Sequence, residues 1–281
     1  MQTFSIPVAN PHPLRPQTLA LGRSERSVDK LTVNVRDFVD IEKALAVIGE
    51  GKSVIREEPL VDYTTLIQAW EMFLNDQLGD CTCASVAHGR MIFSALIGGA
   101  VTITNADIER MYEASGWRRD KPGSDQGWTL VAAAEYAQTI GLLGTVEKPA
   151  PDIDAFAAVS VEDDDAQQVA MELFGGLSTG VEVPESAMRQ FQEGKPWTVV
   201  KGSPIEGGHA IWKALSRLRK IAKFLTWGVP QEAVEAWEKT YVDEYLAFVP
   251  HAWESELPEP VLALGIVDFA KLRSLVGGYG S

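Results

Sequence analysis

The apolar pattern of this chain changes at Pro149 and Pro151, and this change is the strongest limit on the folds that the chain can adopt. Before the two prolines, apolar residues recur at helical spacing, whereas after them short apolar runs resemble strands. Helices first and strands second indicate an α+β protein with two lobes. A chain of 281 residues is long enough to bury one large domain or two modest ones.

Three helices are predicted before the prolines: over residues 81–97, from about residue 104, and from Gly127 to Gly141, because glycine commonly ends a helix. Beyond the prolines we predict a helix over 164–174, with acidic residues in its first turn. The strands predicted in this half cover residues 156–161, 177–183, 209–215, 222–227 and 245–249. Near the start of the chain, residues 31–35 alternate like a short strand, and residues 40–48 have helical spacing.

The two ends of the chain differ in texture from its middle. Residues 1–60 are predicted to form an N-terminal arm and lead-in, extended over about its first 30 residues by Pro7, Pro11, Pro13 and Pro16. Residues 61–250 then form the main domain, and residues 251–281 a helical tail packed on it, with a helix at 267–276. We expect the arm to be ordered through its own core or a partner, and deletion of residues 1–30 to leave a folded protein.

Composition and charge exclude several classes of function. Hydrophobic residues at 46% and charged residues at 23% are ordinary for a soluble globular protein. The formal net charge of −14 argues against nucleic acid or an anionic membrane as a partner. The longest nearly apolar stretch, residues 91–103, is too short to span a bilayer, and no secretory signal is visible at the start. Cys81 and Cys83 are poorly placed for a mutual disulfide and too few for a zinc site, which indicates a reducing compartment.

The turn Gly79-Asp80-Cys81 brings a cysteine to the first turn of a predicted helix, with Asp80 as the N-cap candidate. Unpaired amides and the helix dipole favour thiolate there, so we expect Cys81 to be alkylated faster than Cys83. Asn75 and Gln77, just upstream, are candidates to hold an oxyanion together with the amide of Cys81. The alternative is that Cys81 is a small buried apolar residue.

A nucleophilic thiol needs an imidazole, and the best of the four histidines is His209. Two glycines, Gly207 and Gly208, precede it and leave room for a close approach. His88 lies two helical turns after Cys81, too far along the same helix to touch the thiol, and is expected to pack. His12 lies in the arm and His251 in a turn of the tail, which makes both weak candidates.

Four landmarks in order resemble those of papain-like cysteine peptidases, particularly bacterial and bacteriophage members with a Gly-Asp/Ser-Cys-Thr turn. The string Leu-Gly-Asp-Cys-Thr-Cys-Ala-Ser around Cys81 resembles the nucleophile helix, and Gly127-Trp128-Thr129 a second helix-opening segment. His209 lies about 130 residues after Cys81, at the lower end of the papain interval. Thr226-Trp227-Gly228 resembles the end of an Asn-Ser-Trp-Gly signature, which gives Trp227 a supporting place near the histidine. The resemblance implies a helical lobe and an antiparallel β-rich lobe that meet at a cleft.

The chain also departs from the family pattern. The asparagine of the signature, which would orient the imidazole, falls on Leu225, so Thr226, Asp243 and Glu244 are the candidates for that role. Upstream, Asn75 lies six residues before Cys81 and Gln77 only four. If Cys83 were the nucleophile, Gln77 would have the spacing of six, but the Gly-Asp turn favours Cys81.

These observations favour a cysteine-dependent peptidase or isopeptidase that acts through Cys81 and His209 on a peptide or protein substrate. No metal or organic cofactor is implied. The alternative is a catalytically weak or inactive papain-like protein that serves as a structural or accessory component of an assembly, such as a bacteriophage virion, and contacts neighbouring subunits there. Cytoplasmic or virion-associated localisation fits either function.

Overall fold

The computed structural model describes residues 2–4, 15, 19–55, 62–215 and 221–276. Within these ranges there are ten α-helices and eight β-strands. The helices are α1 Ile41–Gly49, α2 Cys81–Leu96, α3 Asn105–Tyr112, α4 Leu130–Thr139, α5 Asp164–Phe174, α6 Glu185–Gln192, α7 Glu235–Tyr241, α8 Trp253–Glu256, α9 Glu259–Leu262 and α10 Phe269–Leu275. The strands are β1 Gln2–Phe4, β2 Leu19–Leu21, β3 Ile153–Val159, β4 Leu177–Pro184, β5 Ile205–Leu215, β6 Ile221–Thr226, β7 Val229–Val234 and β8 Val242–Pro250.

Six of the strands form one antiparallel sheet in the order β3-β8-β4-β5-β6-β7. Strands β1 and β2 form a separate antiparallel pair. Helices α2 to α4 precede the sheet in sequence, so the helical lobe comes first and the β-rich lobe second. The predicted α+β fold with an antiparallel lobe is confirmed.

The sheet separates two apolar cores because successive residues of a strand face opposite sides. Ala210, Trp212 and Leu225 pack with the helical lobe, including α2 and α4. Ile211 and Phe224, their neighbours in sequence, belong to the other core, which α1, α5 and α6 cover. Helix α2 crosses β5, and the hydroxyl of Ser85 donates to the carbonyl of Ile211 at 3.1 Å. The start of α2 therefore lies against the strand that carries His209.

Most predicted elements of the middle of the chain are present. Helices α2 and α5 begin at the predicted residues, and α3 begins after Thr104, which caps it. Strand β7 was not predicted, because Pro230 interrupts its apolar alternation. The strand predicted at residues 31–35 is wrong: the side chain of Asn34 accepts from the amide of Arg36 and starts a 3-10 turn at Val35–Asp37.

Residues 19–55, which the sequence assigns to the lead-in, contribute to both cores. Leu19 and Val35 are fully buried in the core that α5 covers, and Val28 lies in the helical core. The lead-in also pairs with the tail, since Val39 forms a bridge with Val267. The arm prolines and His12 lie outside the described residues. No described helix has both the length and the apolar character needed to cross a membrane.

Candidate active site

Cys81 is the first residue of α2 and lies against β5 of the sheet. Asp80 occupies the predicted N-cap position, but its side chain makes no capping hydrogen bond. Instead, the side-chain amide of Asn75 donates to the carboxyl group of Asp80 at 3.2 Å and to the carbonyl of Leu78 at 3.2 Å. Complete burial raises the pKa of Asp80 well above its usual range.

The sulfur of Cys81 is buried and receives a main-chain hydrogen bond. The amide of Ala210, next to His209, lies 3.3 Å from Sγ. Burial raises the pKa of this thiol to about 12, and the neighbouring Asp80 adds to the effect. The expectation that the helix terminus favours thiolate is therefore wrong for this arrangement, because desolvation outweighs the hydrogen bond.

His209 stands on β5 with its ring fully buried. Its Nε2 lies 2.9 Å from Oγ1 of Thr226, and its ring stacks on Trp227 with centroids 4.4 Å apart. Nδ1 has no hydrogen-bond partner among the described residues. Burial, together with the positive charge of Arg23, lowers the pKa of His209 to about 3. The pKa shifts of Cys81 and His209 therefore both favour the neutral form of the side chain.

The imidazole of His209 is contacted by Thr226, the residue that follows the expected asparagine position. Leu225 pairs with Trp212 and Pro230 across the sheet and is buried in the helical core. Thr226 is the next residue, and strand alternation turns its hydroxyl to the opposite side, toward His209. Asp243 and Glu244 also lie near the site, but their carboxylates bind Arg23 and not the imidazole.

The remaining candidates are placed as follows. Gln77 is exposed, and its amide reaches the carboxylate of Asp76 at 3.4 Å. Cys83 is fully buried in the helical core, and burial raises its pKa well above the usual range. His88 packs between Trp70 and Phe73 as a core histidine. His251 lies away from the cleft with Nδ1 2.7 Å from Asp154.

The chain's own residues 19–28, here called the cleft segment, lie across this site. The carbonyl of Gly22 accepts from the amide of Trp128 at 2.8 Å, and the amide of Ser24 donates to the carbonyl of Trp128 at 3.0 Å. On the other wall, the amide of Arg23 donates to the carbonyl of Gly208 at 3.1 Å. The segment thus bridges the helical and sheet walls with main-chain hydrogen bonds, directly above Cys81.

The fit is close at Gly22. A Cβ atom there would lie 2.0 Å from the carbonyl oxygen of Gly79, in the turn before Cys81. A Cβ atom on Gly127 would lie 2.0 Å from the carbonyl oxygen of Gly22, and Gly127 also has a φ of 73°. Only residues without side chains allow the backbones to approach this closely. Gly79 and Gly127 stand in motifs that the sequence makes apparent, whereas Gly22 and Arg23 carry no such signal.

A carboxylate that the sequence analysis also missed ties the two loops of the helical wall together. Asp125 accepts from the amide of Gly79 at 3.2 Å and from the hydroxyl of Tyr112 at 2.6 Å. The same hydroxyl accepts from the amide of Gly127 at 3.1 Å. Nothing in the local sequence around Asp125 distinguishes it from an exposed loop residue.

A thiol on a helical wall and a histidine on a facing sheet wall define the architecture of a papain-like cysteine protease fold. Xylellain, a cysteine protease from Xylella fastidiosa, superposes with a TM-score of 0.58 at 12% identity, over 83% of this chain and 96% of xylellain. Digestive procathepsin L 3 of the Tenebrio molitor larval midgut superposes with a TM-score of 0.50 at 13% identity, over 74% of this chain and 79% of that one. No family model matches the sequence, and no curated protein matches it significantly. The papain-like fold that the sequence motifs implied is confirmed.

Proposed function

We propose that this protein is a cysteine-dependent hydrolase of peptide or isopeptide bonds, and that the cleft segment keeps it latent. The observation that carries the proposal is the 2.9 Å contact between Nε2 of His209 and Oγ1 of Thr226. His209 stands on β5, and the amide of the next residue, Ala210, donates to Sγ of Cys81. This contact fixes the ring and leaves Nδ1 as the nitrogen without a partner. Xylellain, with the same fold, is a cysteine protease.

In the proposed reaction, displacement of the cleft segment lets water and substrate reach the pair. His209 takes the thiol proton at Nδ1, and the thiolate of Cys81 attacks the carbonyl carbon of the substrate. The tetrahedral oxyanion is held by the amide of Cys81, and its collapse breaks the C–N bond while His209 gives its proton to the leaving amine. Water then attacks the thioester with His209 as base, which releases the acid and restores the thiol.

The latency follows from what the cleft segment contacts. Gly22 packs against Gly79, in the turn before Cys81, and the segment is hydrogen-bonded to both Trp128 and Gly208, so it blocks the approach of a substrate to the thiol. Arg23 adds a positive charge that disfavours the imidazolium form of His209. A neutral thiol and a neutral imidazole without access to substrate cannot start the reaction.

The test is hydrolysis of a fluorogenic peptide library by the full-length protein and by Gly22→Ala, which forces the segment off Gly79. We expect hydrolysis by Gly22→Ala to fall by at least about 1,000-fold when Cys81→Ser or His209→Gln is added. Cys83→Ser is the matched control and should leave the rate unchanged. Equal loss with Cys83→Ser, or unchanged activity with Cys81→Ser, would contradict the assignment.

A second candidate function is that of an inactive papain-like protein in an assembly. It is favoured by the depth of the cleft segment, since Leu19 and Ala20 are fully buried and the indole of Trp227 donates to the carbonyl of Ala20 at 3.2 Å. If this is the function, Gly22→Ala should expose Cys81 to alkylation without any gain in hydrolysis. Light scattering on the same variant would then reveal a change in association with neighbouring subunits.

A further inference from the structure

Next to the reactive pair, three carboxylates converge on one guanidinium group. Glu182 on β4 and Asp243 and Glu244 on β8 form what we call the acidic pocket. Nη1 of Arg23 lies 2.9 Å from Glu244, and Nη2 lies 2.7 Å from Asp243 and 3.2 Å from Glu182. The two nitrogens are directed to different carboxylates, a geometry that the planar fork of arginine provides and a lysine ammonium does not.

The pocket has room for this group because β4 carries a glycine at its narrowest point. A Cβ atom on Gly180 would lie 2.5 Å from Cγ of Glu244 and 2.9 Å from Nη1 of Arg23. Glycine within a strand commonly marks such a close approach. Gly180 and Glu244 are also register partners across the two strands, so the cavity is part of the sheet itself.

The charges of the pocket do not balance without a cation. Glu244 is fully buried, and both its oxygens bind the cleft segment: Oε1 binds Arg23, while Oε2 accepts from the amides of Ser27 and Val28 at 2.9 and 3.0 Å. Burial opposes the charge of Arg23, but Asp243 and Glu244 outweigh it and raise the arginine pKa. When the segment leaves, a buried carboxylate loses its partners, which is unfavourable until another cation arrives.

We infer that the acidic pocket is a binding site for the guanidinium group of a peptide substrate, and that Arg23 occupies it in cis while the protein is latent. This inference rests on the proposed function and names the substrate class: peptides with an arginine close to the scissile bond. The position of that arginine follows from the contacts of the segment. Gly22 packs against Gly79, in the turn before Cys81, and the amide of Arg23 donates to the carbonyl of Gly208, next to His209. Basic substrates also suit the overall charge of −14.

The first test measures binding without any turnover, by chemical rescue of full-length Arg23→Ala. Ethylguanidinium should raise the thermal midpoint of this variant by about 2 °C or more, while its neutral isostere ethylurea should not. Arg36→Ala is the matched control, since this arginine pairs with Glu42 and Asp163 at the surface, outside the acidic pocket, and should show no rescue. Equal shifts with ethylurea, or equal rescue of Arg36→Ala, would overturn the inference.

The second test does not depend on the folding of Arg23→Ala. In the Gly22→Ala protein, peptides with arginine at either of the two positions before the scissile bond should be cleaved at least about tenfold faster than citrulline analogues, because a charged hydrogen-bonded pair is lost. Adding Asp243→Asn, at a partly exposed position, should reduce this preference several-fold. Hydrolysis with no preference for arginine would overturn the inference and leave the proposed function standing.

The two proposals fail separately. Rescue of Arg23→Ala by ethylguanidinium without hydrolysis of any peptide would support the acidic pocket and contradict the hydrolase. Hydrolysis that depends on Cys81, without rescue and without preference for arginine, would support the hydrolase and contradict the role of the acidic pocket.

Discussion

The cleft segment contacts two neighbouring regions, the site of Cys81 and His209 and the acidic pocket, and these two regions differ in charge. Where the segment passes Cys81 and His209, both side chains are fully buried, and burial raises the pKa of the thiol to about 12 and lowers that of the imidazole to about 3. One residue further along, Arg23 carries its charge into the acidic pocket and pairs it with three carboxylates. On the proposed function, departure of this one segment would uncover Cys81 and His209 and leave the carboxylates of the acidic pocket without their cation.

The largest effect should come from separating the segment from the reactive pair. Gly22→Ala places a methyl group against Gly79 and breaks hydrogen bonds of about 1 kcal/mol each, so we expect iodoacetamide to label Cys81 about 100-fold faster. Gly49→Ala is the matched control, because a Cβ there meets nothing within 4 Å.

Peptide mass spectrometry distinguishes the two cysteines in this experiment. Cys83 is an internal control, since it is buried within α2 and only global unfolding exposes it. If both cysteines gain the label in parallel, the variant has unfolded, and the segment is part of the core and not a removable cover.

The neutral histidine makes stability depend on pH. The pKa of His209 is lowered to about 3 from 6.5, so its contribution is complete above pH 6.5 and is lost as the pH falls toward 3. Between pH 6.5 and 5 the wild type should lose about 2 kcal/mol more unfolding free energy than His209→Gln. Urea denaturation at several pH values measures this difference, with the exposed His251→Gln as control. Parallel curves for the wild type and His209→Gln would mean that the imidazole is solvated.

A smaller effect is expected at the residue that holds the ring. Thr226→Val removes the hydroxyl 2.9 Å from Nε2 of His209 and should lower kcat/KM of the Gly22→Ala protein by about tenfold. Thr226→Ser should restore the rate, and Thr139→Val, whose hydroxyl bonds only its own helix at Glu135, should not change it. A rate unaffected by Thr226→Val would remove threonine from the orienting role.

The smallest effect on activity is expected at Gln77, one of the two side-chain amides upstream of Cys81. Gln77→Ala should change kcat/KM by less than about twofold, because its side chain is exposed. Asn75→Ala should lower stability by about 2 kcal/mol, since its amide bonds both Leu78 and Asp80 in the turn before Cys81. Urea denaturation and steady-state kinetics on both variants check the order. A larger loss of activity for Gln77→Ala would return it to the oxyanion site.

The sequence predicted the parts of the site that local patterns encode. The turn before Cys81 and the start of α2 follow from short-range preferences of glycine and a helix N-terminus. The contact of Thr226 with His209 depends on the face of β6 to which the side chain points. The motif alone aligns Leu225 with the asparagine that would orient the imidazole, but it is the next residue whose side chain meets the ring.

Other parts depend on contacts between distant residues, which no local pattern records. Arg23 is separated by about 220 residues from Glu244, and the low pKa of His209 arises from burial and from the charge of this same Arg23. The burial of Cys81, which raises its pKa against the expectation from the helix terminus, likewise has no local signal in the sequence.

The most direct test of the account is the pH dependence of Cys81 alkylation in the unaltered full-length protein. Because burial raises the thiol pKa to about 12, the rate should rise with pH without a plateau through the neutral range, and Cys81 should react as slowly as Cys83 at pH 7. A thiolate plateau at neutral pH, with Cys81 labelled much faster than Cys83, would show that the site is open and charged, and would contradict the claim that residues 19–28 hold it latent.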